Sequence, residues 1–212
     1  VKARSGGYDG RGTWIVGDGG DLSAVPAEEL AGRAIVEKKI PFRRELSIVG
    51  ARNPAGETLF YPLTRNWHVD GILRLSLAPA NASAALQPEA ENILRRIMEK
   101  LDYAGVMAVE FFEVDGQLMV NEIAPRVHNS GHWTQNGCAV DQFEQHIRAV
   151  TGLPLGDGQR HSDVVMENLI GDDMDQLPAL LQERDTAVHL YGKAETKAGR
   201  KMGHVNRIKR GD

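Results

Sequence analysis

Cysteine is nearly absent from this chain. Cys138 stands alone, so no internal disulfide can form, which fits a reducing compartment and leads to the expectation of a cytoplasmic protein. Its simplest role is that of a small buried apolar side chain. Long apolar runs are missing as well: none could cross a bilayer as a helix, so no membrane partner is expected. An excess of one charge is also lacking. The formal net charge is −4 over 212 residues, too little to recruit nucleic acid through a global field. Aromatics make up 6% of the chain and none follows Tyr191, so the basic C-terminal stretch lacks the rings on which a nucleic acid would stack. There is no initiator methionine, and Val1-Lys2 reads as the end of a strand entering a glycine loop, so the chain is expected to be a piece of a longer protein. With 42% hydrophobic residues, the length suffices for one large domain or two small ones.

Chemistry is concentrated in residues 116–135, GQLMVNEIAPRVHNSGHWTQ. An apolar strand runs into Glu122 and then into Arg126, His128, Asn129, His132 and Gln135. Arginine can hold an oxyanion with two parallel N–H groups, while His128 and Asn129 add directional donors, so a small planar anion is the natural guest. Pro125 and Gly131 disfavour a helix through His128 and His132, which makes that pair a poor zinc candidate.

Residues 105–114 and 117–123 are apolar runs separated by Asp115-Gly116, a strong hairpin signal. A strict two-residue loop places Glu110 opposite Asn121, with Glu122 on the other face; a longer loop or a bulge places Glu110 opposite Glu122. Glu110 lies inside the apolar segment MAVEFF, where an unpartnered carboxylate would cost several kcal/mol. A Mg²⁺ site completed by nucleotide phosphates is the favoured reading.

The remaining elements are expected around this hairpin. Residues 3–13 form a glycine-rich loop, either a phosphate cradle or a simple turn at Asp9-Gly10, with Lys2, Arg4 and Arg11 nearby. A return strand is expected over 13–16, a short helix over 26–32, and strands over 34–40, 45–52, 58–63 and 72–77, with a polar loop holding residues 66–71. The clearest helix spans 82–101. A second over 141–150 is expected to turn Phe143, Ile147 and Val150 inward. After a linker over 152–162 come a strand, a short helix over 177–183, a strand over 187–191 and a basic end, read either as a solvated face or as a phosphate site built from Lys193 and Arg200.

Four segments in order, GGYDGRG (6–12), FYPLTRNWH (60–68), NEIAPRVHNSGHWTQ (121–135) and GRKMGHVN (199–206), resemble the 5-(carboxyamino)imidazole ribonucleotide synthetase family of ATP-grasp ligases, and the resemblance runs nearly end to end. It implies an α+β fold: an ATP-grasp domain, mainly antiparallel sheet with flanking helices, plus a small C-terminal β-rich domain. The boundaries expected are 1–33 for the remainder of the lid subdomain, 34–152 for the large subdomain and 160–212 for the C-terminal domain. Family members carry a further N-terminal domain.

The resemblance also implies a reaction. ATP phosphorylates bicarbonate to carboxyphosphate, and the amine of aminoimidazole ribonucleotide captures the carboxyl group as a carbamate, with Mg²⁺ assisting. By position, Lys2 and the loop Gly7, Tyr8, Asp9, Gly10, Arg11, Gly12 and Thr13 resemble the lid over the ATP phosphates. Glu37, Lys38, Lys39 and Ile40 resemble the adenine segment, Glu45 the ribose contact and His68 a further nucleotide contact. Glu110 and Glu122 match Mg²⁺ ligands, with Asn121 beside them. Arg126, His128 and Asn129 resemble the bicarbonate pocket, while Tyr8, Asp9, Lys193 and Arg200 resemble the ribonucleotide site. A homodimer is expected of the full-length protein. The alternatives are a sibling ATP-grasp carboxylate–amine ligase and a non-catalytic nucleotide-binding fragment.

Overall fold

Alternating apolar positions and tight Asp-Gly turns dictate a sheet built from hairpins. The computed structural model describes residues 1–6, 11–17, 19–26, 28, 31–82 and 84–210. Contacts divide the chain into two units, Val1–Pro41 with His68–Ile72, and Phe42–Trp67 with Leu73–Asp212.

In the first unit, strand β1 (Lys2–Ala3) pairs antiparallel with β2 (Ala34–Ile35). The return limb of the glycine loop bridges β1 at Thr13, and Val1 and Trp14 exchange backbone hydrogen bonds. The strand expected over 34–40 is shorter than its sequence suggests, because β1 offers only two residues to pair with; Val36 is 83% exposed. Of the helix expected over 26–32, residues 27, 29 and 30 fall outside those described, and residues 31 and 32 form a turn.

The second unit holds β3 (Arg44–Arg52), β4 (Thr58–Phe60), β5 (Thr64–Val69) up to Trp67, β6 (Ile72–Ala78) from Leu73, β7 (Gly105–Val114), β8 (Gln117–Ala124), β9 (Ser162–Ile170), β10 (Thr186–Leu190) and β11 (Lys201–Arg210). Among the described residues they form one sheet in the order β10-β11-β9-β6-β5-β3-β7-β8, with β4 on β3. Of residues 66–71, expected as a polar loop, 66–69 belong to strand β5, which turns into β6 through Asp70-Gly71, both with positive φ.

Helix α1 (Leu86–Lys100) covers one face: Leu86, Ala90, Leu94 and Met98 are buried with Leu46, Ile48, Met107, Val109 and Phe111. The other face carries the core of Val49, Ala51, Tyr61, Ala108, Ala124, Trp133 and Val164. Here lie the short helix α2 (Thr134–Gly137) and helix α3 (Gln142–Thr151), which Asp141 caps by accepting from the N–H groups of Phe143 and Glu144.

Two expectations are overturned here. Helix α3 buries Gln142, Gln145 and Ala149 and leaves Phe143, Ile147 and Val150 exposed. The glutamines go inside because their amides clamp backbone: Gln145 exchanges two hydrogen bonds with Gly156 and thereby pins the linker. The basic end is strand β11, lying between β10 and β9, and it buries Met202, His204, Val205 and Asn206. Between β9 and β10 the chain passes through a 3-10 turn (Gly171–Gln176) and the short helix α4 (Leu177–Leu180).

The sequence offered no reading of Glu113, which is buried on β7. Arg44 holds it in a fork, donating from Nε and, at 3.1 Å, from Nη2, and keeps its carboxyl below the usual range. Replacing Glu113 with Ala strands Arg44 against a buried surface. Denaturant unfolding is expected to record a loss of about 3 kcal/mol; a loss within the error of the measurement would show that the pair does not anchor β3 to β7.

Candidate active site

The β7–β8 hairpin closes through a two-residue turn in which Asp115 and Gly116 have φ of 50° and 78°, as a type I′ turn requires. Pairing then runs Val114↔Gln117, Glu113↔Leu118, Phe112↔Met119 and Phe111↔Val120, and jumps to Glu110↔Glu122. The tight loop is kept, and the register is shifted by a bulge at Asn121. Glu110 and Glu122 therefore stand directly opposite each other on one face, with Ser47 of β3 on the other side of Glu110. Like charges so placed repel. A divalent cation turns the repulsion into a binding site, since Mg²⁺ takes one or two carboxylates and fills its other positions with phosphate and water.

Beyond β8 the chain turns, with the Arg126 N–H bonded to the Ala124 carbonyl at 2.8 Å. Arg126 is exposed, its Nη1 donating to the Val127 carbonyl. His128 is buried, and Gln142 grips its backbone: Oε1 accepts the His128 N–H at 2.9 Å, and Nε2 donates to its carbonyl at 2.8 Å. A 3-10 turn (Asn129–Gly131) follows. A Cβ on Gly131 would lie 2.6 Å from the Gln142 Oε1, so glycine there permits the grip. The imidazole Nε2 of His128 sits 3.4 Å from the Glu110 Oε1.

Asn129 completes the group. Its Nδ2 and Oδ1 are both buried with no hydrogen-bond partner among the described residues. Unpaired amide atoms cost on the order of 1–3 kcal/mol each, so they mark a place where a ligand or water supplies the missing bonds. Opposed carboxylates and an orphaned amide together fit a metal–phosphate ligand.

The other sequence candidates are placed separately. Glu45 lies two residues before Ser47 on β3, paired with Phe112 and Asn66. Lys193 donates to the Lys201 carbonyl and Arg200 to the Glu195 carbonyl, so each is held by its own loop. In the first unit Lys2 pairs with Glu37 at 2.7 Å, Lys38 and Lys39 are exposed, Ile40 is half-buried, and Arg11 and Gly12 precede the Thr13 bridge. His68 lies on β5. Gly7, Tyr8, Asp9 and Gly10 fall outside the described residues.

Two clusters escaped the sequence reading. One is a line of buried polar groups behind His128. The other is a column of imidazoles: His132 stacks on His204 and His204 on His189, each pair 4.6 Å apart and 14° from parallel. The Tyr191 hydroxyl lies 2.8 Å from the His204 Nδ1, and the Asn206 Nδ2 donates to the His132 carbonyl, tying the loop to β11. His132 thus stacks on histidines while His128 faces Glu110, and the two rings serve different neighbours.

The ATP-grasp domain family matches residues 1–143, more than half of the chain. The chain belongs to the ATP-grasp family. Residues 164–211 match the phosphoribosylaminoimidazole carboxylase C-terminal domain. N5-carboxyaminoimidazole ribonucleotide synthase of Brucella melitensis is 49% identical over 212 residues, which are 99% of this chain and 59% of that protein. The N5-carboxyaminoimidazole ribonucleotide synthetase structure from Thermus thermophilus is 48% identical, with a TM-score of 0.82 over 89% of this chain and 52% of that one. The Aspergillus clavatus synthase, solved with ADP and 5-aminoimidazole ribonucleotide, is 33% identical, with a TM-score of 0.83 over 90% and 54%. The chain thus spans somewhat more than half the length of these relatives.

In this ATP-grasp chain the histidine column is sensitive to acid. Burial, then the neighbouring His189 and Lys201, lower His132 to about 4. Burial, then His132 and His189, lower His204 to about 2, and burial lowers His189. The unfolded chain takes up these protons near pH 6.5, before the folded column does, so stability falls as pH drops from about 6.5 toward 4. Denaturant midpoints at pH 7.5 and 5.0 should differ less in His204→Phe than in the wild type; equal differences would contradict the column's role.

Proposed function

We propose that the protein carrying this chain is an ATP- and bicarbonate-dependent carboxylase of 5-aminoimidazole ribonucleotide, acting in purine biosynthesis. The γ-phosphoryl group of ATP passes to bicarbonate, giving carboxyphosphate and ADP. The substrate amine then attacks the carboxyl carbon, phosphate leaves, and the amine proton is lost as the N-carboxy product forms. The observation that carries this reading is the direct opposition of Glu110 and Glu122 beside His128 and the orphaned amide of Asn129, in a chain 49% identical to a synthase of that name.

Each group has a task set by its chemistry. Glu110 and Glu122 would hold Mg²⁺, with the bulge residue Asn121 next to Glu122 on β8 and the paired β7–β8 ladder fixing their separation. When bound, the ion would neutralise charge on the transferring phosphoryl group. Arg126 offers its fork to bicarbonate and carboxyphosphate, and His128 and Asn129 donate from the buried side, where water competes less. Glu45 remains assigned to the ribose. Lys193 and Arg200 remain the groups for the substrate phosphate, which would replace the carbonyls they now bind. The nucleotide roles of Lys2, Glu37, Lys38, Lys39, Ile40 and His68 belong to the same proposal. An exposed ion pair such as Lys2–Glu37 contributes about 1 kcal/mol or less, so opening it for a phosphate is inexpensive. The lid roles of Gly7, Tyr8, Asp9 and Gly10, a cytoplasmic setting and pairing with a second copy complete the reading. The exposed apolar side of α3, with Phe143, Ile147 and Val150, supports burial against another surface.

The test is phosphate release by the protein as its gene encodes it, with ATP, Mg²⁺ and bicarbonate, with and without 5-aminoimidazole ribonucleotide. Release that requires bicarbonate and rises with the ribonucleotide is expected. Glu122→Gln should remove it while leaving the unfolding midpoint near the wild-type value, because Glu122 is exposed. Full turnover in that variant would overturn the metal assignment, and no release from the wild type would overturn the carboxylase reading.

A further inference from the structure

Behind the candidate pocket, buried polar side chains from three strands line up on one ring nitrogen. Ser76 on β6 donates to the Asn66 Oδ1 on β5 at 2.8 Å, and the Asn66 Nδ2 donates to the Ser47 Oγ on β3 at 2.9 Å. The Ser47 hydroxyl donates to the Ser130 Oγ at 2.8 Å, and that oxygen lies 2.9 Å from the His128 Nδ1. All four side chains behind the ring are 3% exposed or less. A chain of hydroxyls and amides in the interior is tolerated only when each member is satisfied, and each of these links supplies the next.

Taken alone, such a chain could run in either direction, since every hydroxyl can turn and an amide can flip. A fixed donor favours one direction. The backbone N–H of Ser130 also points at the His128 Nδ1, at 3.4 Å. A backbone N–H cannot reverse, so it favours a lone pair on Nδ1, but at 3.4 Å it is too long to hold that tautomer without the Ser130 hydroxyl. The Ser130 hydroxyl, accepting from Ser47, gives its own proton to the same nitrogen. The ring proton is then on Nε2, the nitrogen 3.4 Å from Glu110.

We propose that Ser130, Ser47 and Asn66 are positioning residues that hold His128 as its Nε2–H tautomer, with that N–H aimed at the Glu110 side of the pocket. The inference rests on the reading of His128 as a donor to the small anion. An Nε2–H attracts an oxyanion, whereas the opposite tautomer would present a lone pair and repel it. None of the three serines or the asparagine needs to touch a substrate to do this. They act by deciding which ring nitrogen faces it.

Long-range ¹H–¹⁵N correlation on the full chain, labelled at histidine and recorded at neutral pH, reads the tautomer directly, with His128→Asn identifying the signals. The wild type should show an unprotonated Nδ1 and a protonated Nε2. Ser130→Ala and Ser47→Ala each cut the line, and both nitrogens should move toward the intermediate shifts of a ring exchanging tautomers. In the protein as its gene encodes it, kcat should fall by about 10- to 100-fold with KM for ATP unchanged. A wild-type ring protonated on Nδ1, or wild-type nitrogen shifts in the folded variants, would overturn the proposal. If Ser130→Ala does not fold, Ser47→Ala decides, and the wild-type spectrum decides without either. A wild type with no bicarbonate-dependent turnover would instead strike the functional reading, leaving the ring nitrogens to be judged separately.

Discussion

Two carboxylates facing each other across neighbouring strands repel, and a chain adopts that arrangement only where something holds both in place. Here the holder is a register shift. The Asp115-Gly116 turn alone would carry Glu122 to the face of α1. The extra residue Asn121 returns it to the side of Glu110 and the 125–135 loop. Every other feature of the candidate site depends on that single bulge, because Arg126, His128 and Asn129 follow β8 directly and inherit its direction.

The surroundings make the arrangement rigid. Strand β7 is paired on both sides, to β3 and β8, and covered on both faces by apolar cores. Gln142 fixes the backbone of His128, the serine–asparagine line fixes its ring, and the imidazole column fixes His132 a turn further on. Three sets of attachments thus hold the loop from His128 to His132. Such preorganisation is what charge-stabilising catalysis requires, since donors already in place need not reorganise when charge develops.

Part of this was legible in the sequence, for identifiable reasons. The hairpin, its turn and helix α1 follow from periodicity and from Asp-Gly, which act locally. The conspicuous acid inside MAVEFF marked Glu110 because burial of a carboxylate needs a cause. The register of Glu122 was narrowed to two choices and no further, since a bulge leaves no local signature. Periodicity turns helix α3 the wrong way because its buried positions are glutamines, whose partners, the backbones of His128 and Gly156, lie elsewhere in the sequence. Strand β11 reads as a solvated basic face for the same reason: the partners that admit His204 and Asn206 to the interior are Tyr191, His132 and Asn136. Polar residues that are inside because of a distant partner cannot be recognised one segment at a time.

The central claim is that the opposed Glu110 and Glu122, with the loop that carries Asn129, bind a metal–nucleotide. Paramagnetic broadening locates such a ligand directly: amide spectra of the protein with ADP are compared in the presence of Mg²⁺ and of Mn²⁺, its paramagnetic substitute. The signals of Glu110, Glu122 and Asn129 should broaden first, while that of Val188 on β10 persists. Broadening that leaves the β7–β8 hairpin sharp would contradict the account.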